Sequence, residues 1–338
     1  MTDTRAESEM TSAKQPPSSA GNFIRRVLAV QEVGVLLPLI GFVIVFYLLN
    51  PTFLKPDNIA AMLRAMSFIG VIAMGQTFLL ISGAFDLSVG SVAGLAAIVC
   101  SAMMVRYNWS IPTSVLAGLA VGAIAGLANS FVVIKLGVPA FIATLGMLNV
   151  ARGIAYLISK GYTIYPLPDA VNGFGTAEPF NTSWSFVIFV IMAFIAAIVL
   201  SRTAYGRKLY AVGGNAEVAR LAGISPAKIQ TSAFVLTGMC ASLGGMLLMS
   251  RIVTGSPTTG LGWEMNVIAG VVIGGVSLFG GSGSIPGAVI GLLIMQAVTN
   301  GLVVVKVDPY WQTVAIGVIM IAAVAIDVLR RRSKTVSL

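Results

Sequence analysis

The sequence predicts an all-α, polytopic membrane protein of about ten transmembrane helices, some of them broken or re-entrant. Three observations carry that expectation. Hydrophobic residues make up 57% of the 338-residue chain and charged residues only 10%, against about 25% charged in an ordinary soluble domain. Mean hydropathy is +0.93. Apolar runs also follow one another along most of the chain, many near the length of about 20 helical residues that a hydrocarbon core requires. The 37 glycines suit helices that pack closely or break within a bilayer.

Residues 1–22 are polar and rich in Ser, Thr and Ala, the composition of a disordered tail. Arg25-Arg26 then precede the apolar run 33–49. That run is long, lies well inside the chain and lacks a small-residue cleavage site, so it is expected as an uncleaved first span. Further spans are expected at roughly 58–81, 89–106, 111–136, 138–158, 184–201, 231–251, 264–279, 284–305 and 311–328. Gly, Ser and Pro interrupt the runs around 58–106 and 264–305, where half-helices or re-entrant segments are expected. One membrane domain, 23–330, is therefore bounded by the tails 1–22 and 331–338.

Basic residues orient the spans. Arg25-Arg26, Lys135, the Arg202–Lys228 stretch and Arg330–Arg332 fall on one side of a ten-span arrangement. Lys55, Arg106, Lys160, Arg251 and Lys306 fall singly on the other. A basic excess marks the cytoplasmic side, so both termini are expected there. The net charge of +9 thus speaks for orientation beside lipid rather than for nucleic acid. The longest opposite loop, 160–183, carries Tyr162, Tyr165, Pro166, Pro168 and Phe180 and is expected to face outward as a lip or docking surface.

The segment 201–230, SRTAYGRKLYAVGGNAEVARLAGISPAKIQ, is the one long basic polar stretch between strongly apolar runs. Asn215 is placed to cap a short helix, and Glu217 lies in its first turn, where a negative charge is favoured. Gly223 closes the helix as a C′ glycine, and Ser225-Pro226 open the next one. Val218, Leu221 and Ala222 share one face by their spacing. Two turns of helix are marginal alone, so this element must dock either on its own membrane domain or on a partner.

Candidate pathway groups come from breaks and from polar residues inside spans. Asp86 sits in Gly83–Ser91, between apolar runs, with Ser88 and Ser91 nearby. An acid at membrane depth is a functional candidate by default, although the leading reading is that Asp86 or Ser88 caps the following helix, which is compatible with contact to a solute. Gly280–Gly287 reads as a second break, suited to close packing and a sharp turn. The two breaks form a weak internal echo, the pattern of paired broken helices. Gln76, Asn129, Thr144 and Asn149, with Gln296 and Asn300, are scattered polar residues that bond between helices or line a polar pathway. Glu264 begins a span, where an acid suits a helix N-terminus, and Asp327 is expected to pair with Arg330–Arg332 at the interface.

Several chemistries are excluded. There is no histidine, hence no His-based metal site, general base or proton relay. Cys100 and Cys240 lie in apolar segments as small buried hydrophobes. No P-loop, nucleophile–base pair, paired carboxylates or metal-ligand spacing is present. A catalytic or metal site is therefore not expected. Proton-driven transport usually needs a relay of ionisable groups, and Asp86 alone is not one.

Three motifs, GAFDLSVGSVAGL (83–95), GRKLYAVGGNAEVARLAGI (206–224) and NVIAGVVIGGVSLFGGSGSIPGAVIGLLI (266–294), resemble the permease subunits of bacterial ABC importers for monosaccharides, the ribose, xylose, galactose and autoinducer-2 group. The resemblance extends from about 33 to 327. Relatives carry G-x-D-L-S-x-G-S where Ala84-Phe85 here separate Gly83 from Asp86, a slight local departure. The resemblance implies an ATP-driven importer in the bacterial inner membrane, with a second permease subunit (identical or paralogous), cytoplasmic ATPase subunits that bind the ATP, and an extracytoplasmic sugar-binding protein. No cofactor of the chain's own is implied. It further implies that Asn215, Glu217, Ala219, Arg220, Leu221, Ala222, Gly223 and Ile224 form the element that couples to the ATPase. The competing class is a secondary transporter or facilitator working without an ATPase.

Overall fold

A computed structural model describes residues 31–178 and 182–335. Its helices are α1 (Gln31–Leu49), α2 (Pro56–Ile81), α3 (Val89–Tyr107), α4 (Ile111–Ser130), α5 (Ala140–Ser159), α6 (Asp169–Thr176) and α7 (Trp184–Arg202). They continue as α8 (Ala204–Gly214), α9 (Ala216–Leu221), α10 (Pro226–Ile252), α11 (Trp263–Ile273), α12 (Ile285–Val304) and α13 (Pro309–Thr335). A 3-10 turn, Pro51–Leu54, precedes α2, and a π-helical turn, Phe131–Lys135, prolongs α4. The fold is all-α. Among the described residues the one β-type pairing is an isolated bridge between Ile164 and Gly255.

Among the described residues seven segments are long and apolar enough to cross a membrane: α2, α3, α4 with its π turn, α5, α7, α10 and α12. Of the other three expected spans, two lie on the long helices α1 and α13, and the third holds the short apolar helix Trp263–Ile273. The clearest departure is 264–279, whose helix stops at Ile273. Its continuation runs into glycines at positive φ, including Gly275 and Gly280, a backbone that no helix can use. A half-helix was expected there.

Small residues let α10 sit at the centre. Gly238 of α10 meets Gly122 of α4 backbone to backbone, and Gly245 meets Ala93 of α3. Gly244 packs on Phe68 and Ile72 of α2. Lipid tails are as apolar as leucine, so such close van der Waals approach, rather than water exclusion, holds membrane helices together. Farther out, Gly70 of α2 receives the Phe189 ring of α7. Gly270 and Gly274 of the α11 end face Gly291 and Gly287 of α12.

Between α10 and α11 the chain folds back along α3. Gly255 lies against Ala97 and Ser101 of α3, the Thr259 carbonyl against Gly94, and Gly260 against Gly90. The segment therefore runs back along α3 toward its start before α11 begins. Cys100 and Cys240 are buried and free, as expected. The tail 1–22 and Phe180 lie outside the described residues, as do the side chains of Asp327 and Arg330–Arg332.

Candidate functional site

The basic loop folds as two short helices. Thr203 caps α8, its hydroxyl oxygen accepting from the Gly206 N–H at 3.3 Å. Asn215 caps α9 as expected, Oδ1 accepting from the N–H groups of Glu217 and Val218, each at 3.0 Å. Gly223 has φ +79°, and Gly223 and Ile224 donate back to the Arg220 and Ala219 carbonyls. Ser225 and Pro226 then start α10. Glu217 and Arg220 stand 3.8 Å apart on the exposed side, a surface pair that contributes little.

The predicted apolar face of α9 is bare. Val218 is 59% and Leu221 80% exposed, whereas Ala219 is buried. Ala219 and the half-buried Ile224 hold the helix to the body of the chain. The Val218–Leu221 face is not docked on it.

Sequence reading missed α8, which joins this loop to both broken helices. Gly213 lies in backbone contact with the Ile81 carbonyl and the Gly281 N–H, and Gly280 in contact with Gly83. Gly281 donates to the Ile81 carbonyl at 2.9 Å. The two breaks of the internal echo thus meet each other against one end of α8. Tyr210 donates to the Gly283 carbonyl at 2.7 Å, and Tyr205 shares a 2.9 Å hydrogen bond with Ser232 of α10. Burial raises both phenols above the ordinary tyrosine range, so both remain neutral.

Three of the candidate pathway residues form one cluster. Asp86 Oδ1 accepts from the Ser88 N–H at 2.7 Å and the Ser88 hydroxyl at 2.6 Å. Asn129 Nδ2 donates to Asp86 Oδ2 and to Ser88 Oγ, each at 3.0 Å. Asp86 therefore ties the start of α3 to the end of α4, with all three residues buried. Ser91 is buried one turn farther along α3. The others stay apart. Gln76 is fully buried on α2, with neither amide atom partnered. Thr144 is buried, its hydroxyl donating to the Ala140 carbonyl at 2.7 Å. Asn149 lies on the exposed side of α5 and donates to Leu145 O at 3.1 Å. Asn300 and Asn58 exchange amide hydrogen bonds.

Arg152 was also missed. It projects from α5 and donates to the carbonyls of Pro257 at 2.5 Å and Thr259 at 2.8 Å, pinning the 253–262 segment. The signal was available, since a cation in the interior of an apolar span is a functional candidate by default.

Fold and site together define a multi-pass helical permease whose exposed two-helix loop is packed onto broken membrane helices. Residues 58–324 match the family described as branched-chain amino acid transport system, permease component. The L-arabinose transport system permease protein AraH of Escherichia coli is 35% identical over 324 residues, covering 96% of this chain and 98% of its own. The ribose import permease protein RbsC of Bacillus subtilis is 34% identical over 88% of this chain and 92% of its own. The fructose import permease protein FrcC of Rhizobium meliloti is 34% identical over 88% and 84%. No solved structure matches. The chain belongs to this family of ABC-transporter permeases and is a transport subunit, not an enzyme.

Proposed function

We propose that this inner-membrane permease imports a monosaccharide, working as one of two permease subunits with a cytoplasmic ATPase and an extracytoplasmic sugar-binding protein. In this reading α9 is the coupling element, both termini are cytoplasmic, and ATP is bound by the partner. The observation that carries it is the bare Val218–Leu221 face on a helix capped at both ends. A two-turn helix held by caps yet exposing its apolar side is shaped for a groove on another subunit. Arabinose, ribose and fructose permeases as relatives over most of the chain support a sugar.

The mechanism follows from the packing. Closure of the ATPase subunits moves α9, and α8 moves with it because only one residue separates them. The glycine contacts at Gly213 pass the motion to the C-terminal end of α2 and to the turn before α12. ATP and a loaded binding protein must then bias the same two-state element, since coupling requires differential affinity for its states.

ATPase activity in proteoliposomes, measured with and without loaded binding protein, tests this. Stimulation and uptake with arabinose, ribose, xylose or fructose are expected. Stimulation by leucine instead would favour the substrate in the family description, and flux through the chain alone would make it a facilitator. Leu221→Glu should weaken ATPase association by about tenfold or more, as expected for charging the centre of an apolar contact. Unaltered association would remove the coupling role from α9.

A further inference from the structure

Residues 253–262 are backbone lodged against a membrane helix, with Gly255 at Ala97 and Ser101 of α3 and Gly260 at Gly90. Turns within the segment use the carbonyls of Ser256, Thr258 and Gly260, which accept from the N–H groups of Thr259, Leu261 and Trp263. The carbonyls of Pro257 and Thr259 are left to Arg152, which reaches both through Nη1. Its Nε is buried with no partner. A cation at membrane depth is costly and is ordinarily paired with an acid or with carbonyls. This guanidinium holds two neutral carbonyls and no acid.

Glu264 supplies the missing charge nearby, in the first turn of α11. A methyl added to Gly94 would lie 2.9 Å from Arg152 Nη1, and one added to Gly90 would lie 2.5 Å from Glu264 Oε2. Gly90 and Gly94 are four residues apart on α3, which puts their side-chain positions about 5–6 Å apart. Guanidinium and carboxylate therefore line one edge of α3, about a helical turn from each other, and each acts on the other's charge. Among the described residues no ion pair joins them. Gly260 and Gly262, at φ +76° and +75°, flank Leu261 in the stretch between the held carbonyls and Glu264. Glycines there leave the backbone free to absorb a hinge motion.

We infer that Arg152 and Glu264 form an exchange latch. In the present state the guanidinium holds the Pro257 and Thr259 carbonyls; in the alternate state of the permease it holds the Glu264 carboxylate. Arg152 is fixed by the packing of α5 on α3, so the exchange moves the start of α11 about one turn along α3. A charge-assisted pair is stronger than a bond to a neutral carbonyl, but it forms only after that shift, which gives the segment two discrete arrangements. α11 also links the latch to the loop side of the molecule. Beyond its far end, Gly280 and Gly281 pack on Gly213 of α8, so motion of α8 reaches Glu264 along one helix. The inference goes beyond the importer reading, because it names no solute and requires only that the permease have two states.

The test uses the complex of permease, ATPase and binding protein in lipid nanodiscs. Leu261→Cys, at a position 60% exposed, is labelled with a bimane fluorophore, while Cys100 and Cys240 are buried. Its emission is read before and after the ATPase is trapped with ATP and vanadate. A shift on trapping is expected in the otherwise native chain. It should vanish in Glu264→Gln, whose amide oxygen still suits the helix start but carries no charge for the guanidinium. This readout needs no transported sugar, so it decides the latch whatever the solute. In proteoliposomes Glu264→Gln should cut uptake about tenfold, within the range of ordinary coupling energies. Arg152→Lys should retain more uptake than Arg152→Gln, and adding Glu264→Gln to Arg152→Gln should cost nothing further. Arg152→Lys closes the same cycle should Arg152→Gln not accumulate. No emission shift in the native background, an unaltered shift in Glu264→Gln, or additive losses in the cycle would each overturn the latch.

Discussion

Asp86 illustrates how a single carboxylate is kept inside a helical bundle without a cation. Its two oxygens take three donors, from the Ser88 N–H, the Ser88 hydroxyl and the Asn129 amide. In Asp86→Asn the charge on the acceptor is lost, and one of those donors faces an N–H unless the Asn129 amide turns over and gives up its bond to Ser88. A loss of about 1–3 kcal/mol is expected, read as a lower unfolding temperature in detergent. Adding Asn129→Asp reverses donor and acceptor and should recover much of it, a coupling that a double-mutant cycle measures. Additive losses would mean that the Asp86–Asn129 contact does not hold the break together. Gly223 presents a different case. Nothing lies within 4 Å of a methyl added there, but φ is +79°, so Gly223→Ala should cost about 1 kcal/mol from backbone strain alone.

At the scale of the element, α8 is the connection on which coupling depends, and neighbouring glycines separate contact from propensity. A methyl on Gly213 would overlap the Ile81 carbonyl, whereas one on Gly214 meets nothing. Both substitutions replace glycine by a better helix former. Gly213→Ala is therefore expected to abolish most uptake while ATPase subunits still co-purify, because α9 itself is untouched. Gly214→Ala should transport normally. Equal behaviour of the two would show that the α8 contact transmits nothing. The same contrast explains what the sequence could reveal. The ends of α9 were legible because Asn215, Gly223 and Ser225-Pro226 act on backbone groups within a few residues of themselves. α8 was not, because its anchors are Ile81, Gly281 and Gly283, which are distant in sequence. Its Gly213-Gly214 pair, taken locally, reads as a loop. Asp86, Ser88 and Asn129 could be singled out one by one as polar groups at breaks, but that they bond to one another required the fold.

For the whole molecule, hydropathy located ten apolar stretches; among the described residues seven hold helices long and apolar enough to cross, whereas the helix in 264–279 stops at Ile273. Hydropathy averages over windows and cannot distinguish a continuous helix from a non-helical stretch followed by a short one, as 253–262 and α11 are. Sidedness is a separate matter, since it rests on charge rather than packing. The loop at 160–183 and the α8–α9 platform are separated by α7, a single apolar span, so they must open to opposite faces of the membrane. The basic side should be cytoplasmic because translocating clustered Lys and Arg is disfavoured. Tyr162 is 77% exposed in the first loop and Leu221 80% exposed in the second, which makes both suitable reporters. In intact cells Tyr162→Cys should react with a membrane-impermeant maleimide, while Leu221→Cys should react only after the membrane is opened and the ATPase stripped. The reverse pattern would invert the molecule and place α9 out of reach of any cytoplasmic ATPase. Labelling of both in intact cells would mean that α7 does not cross, and the coupling path from α9 through α8 to the broken helices would have to be redrawn.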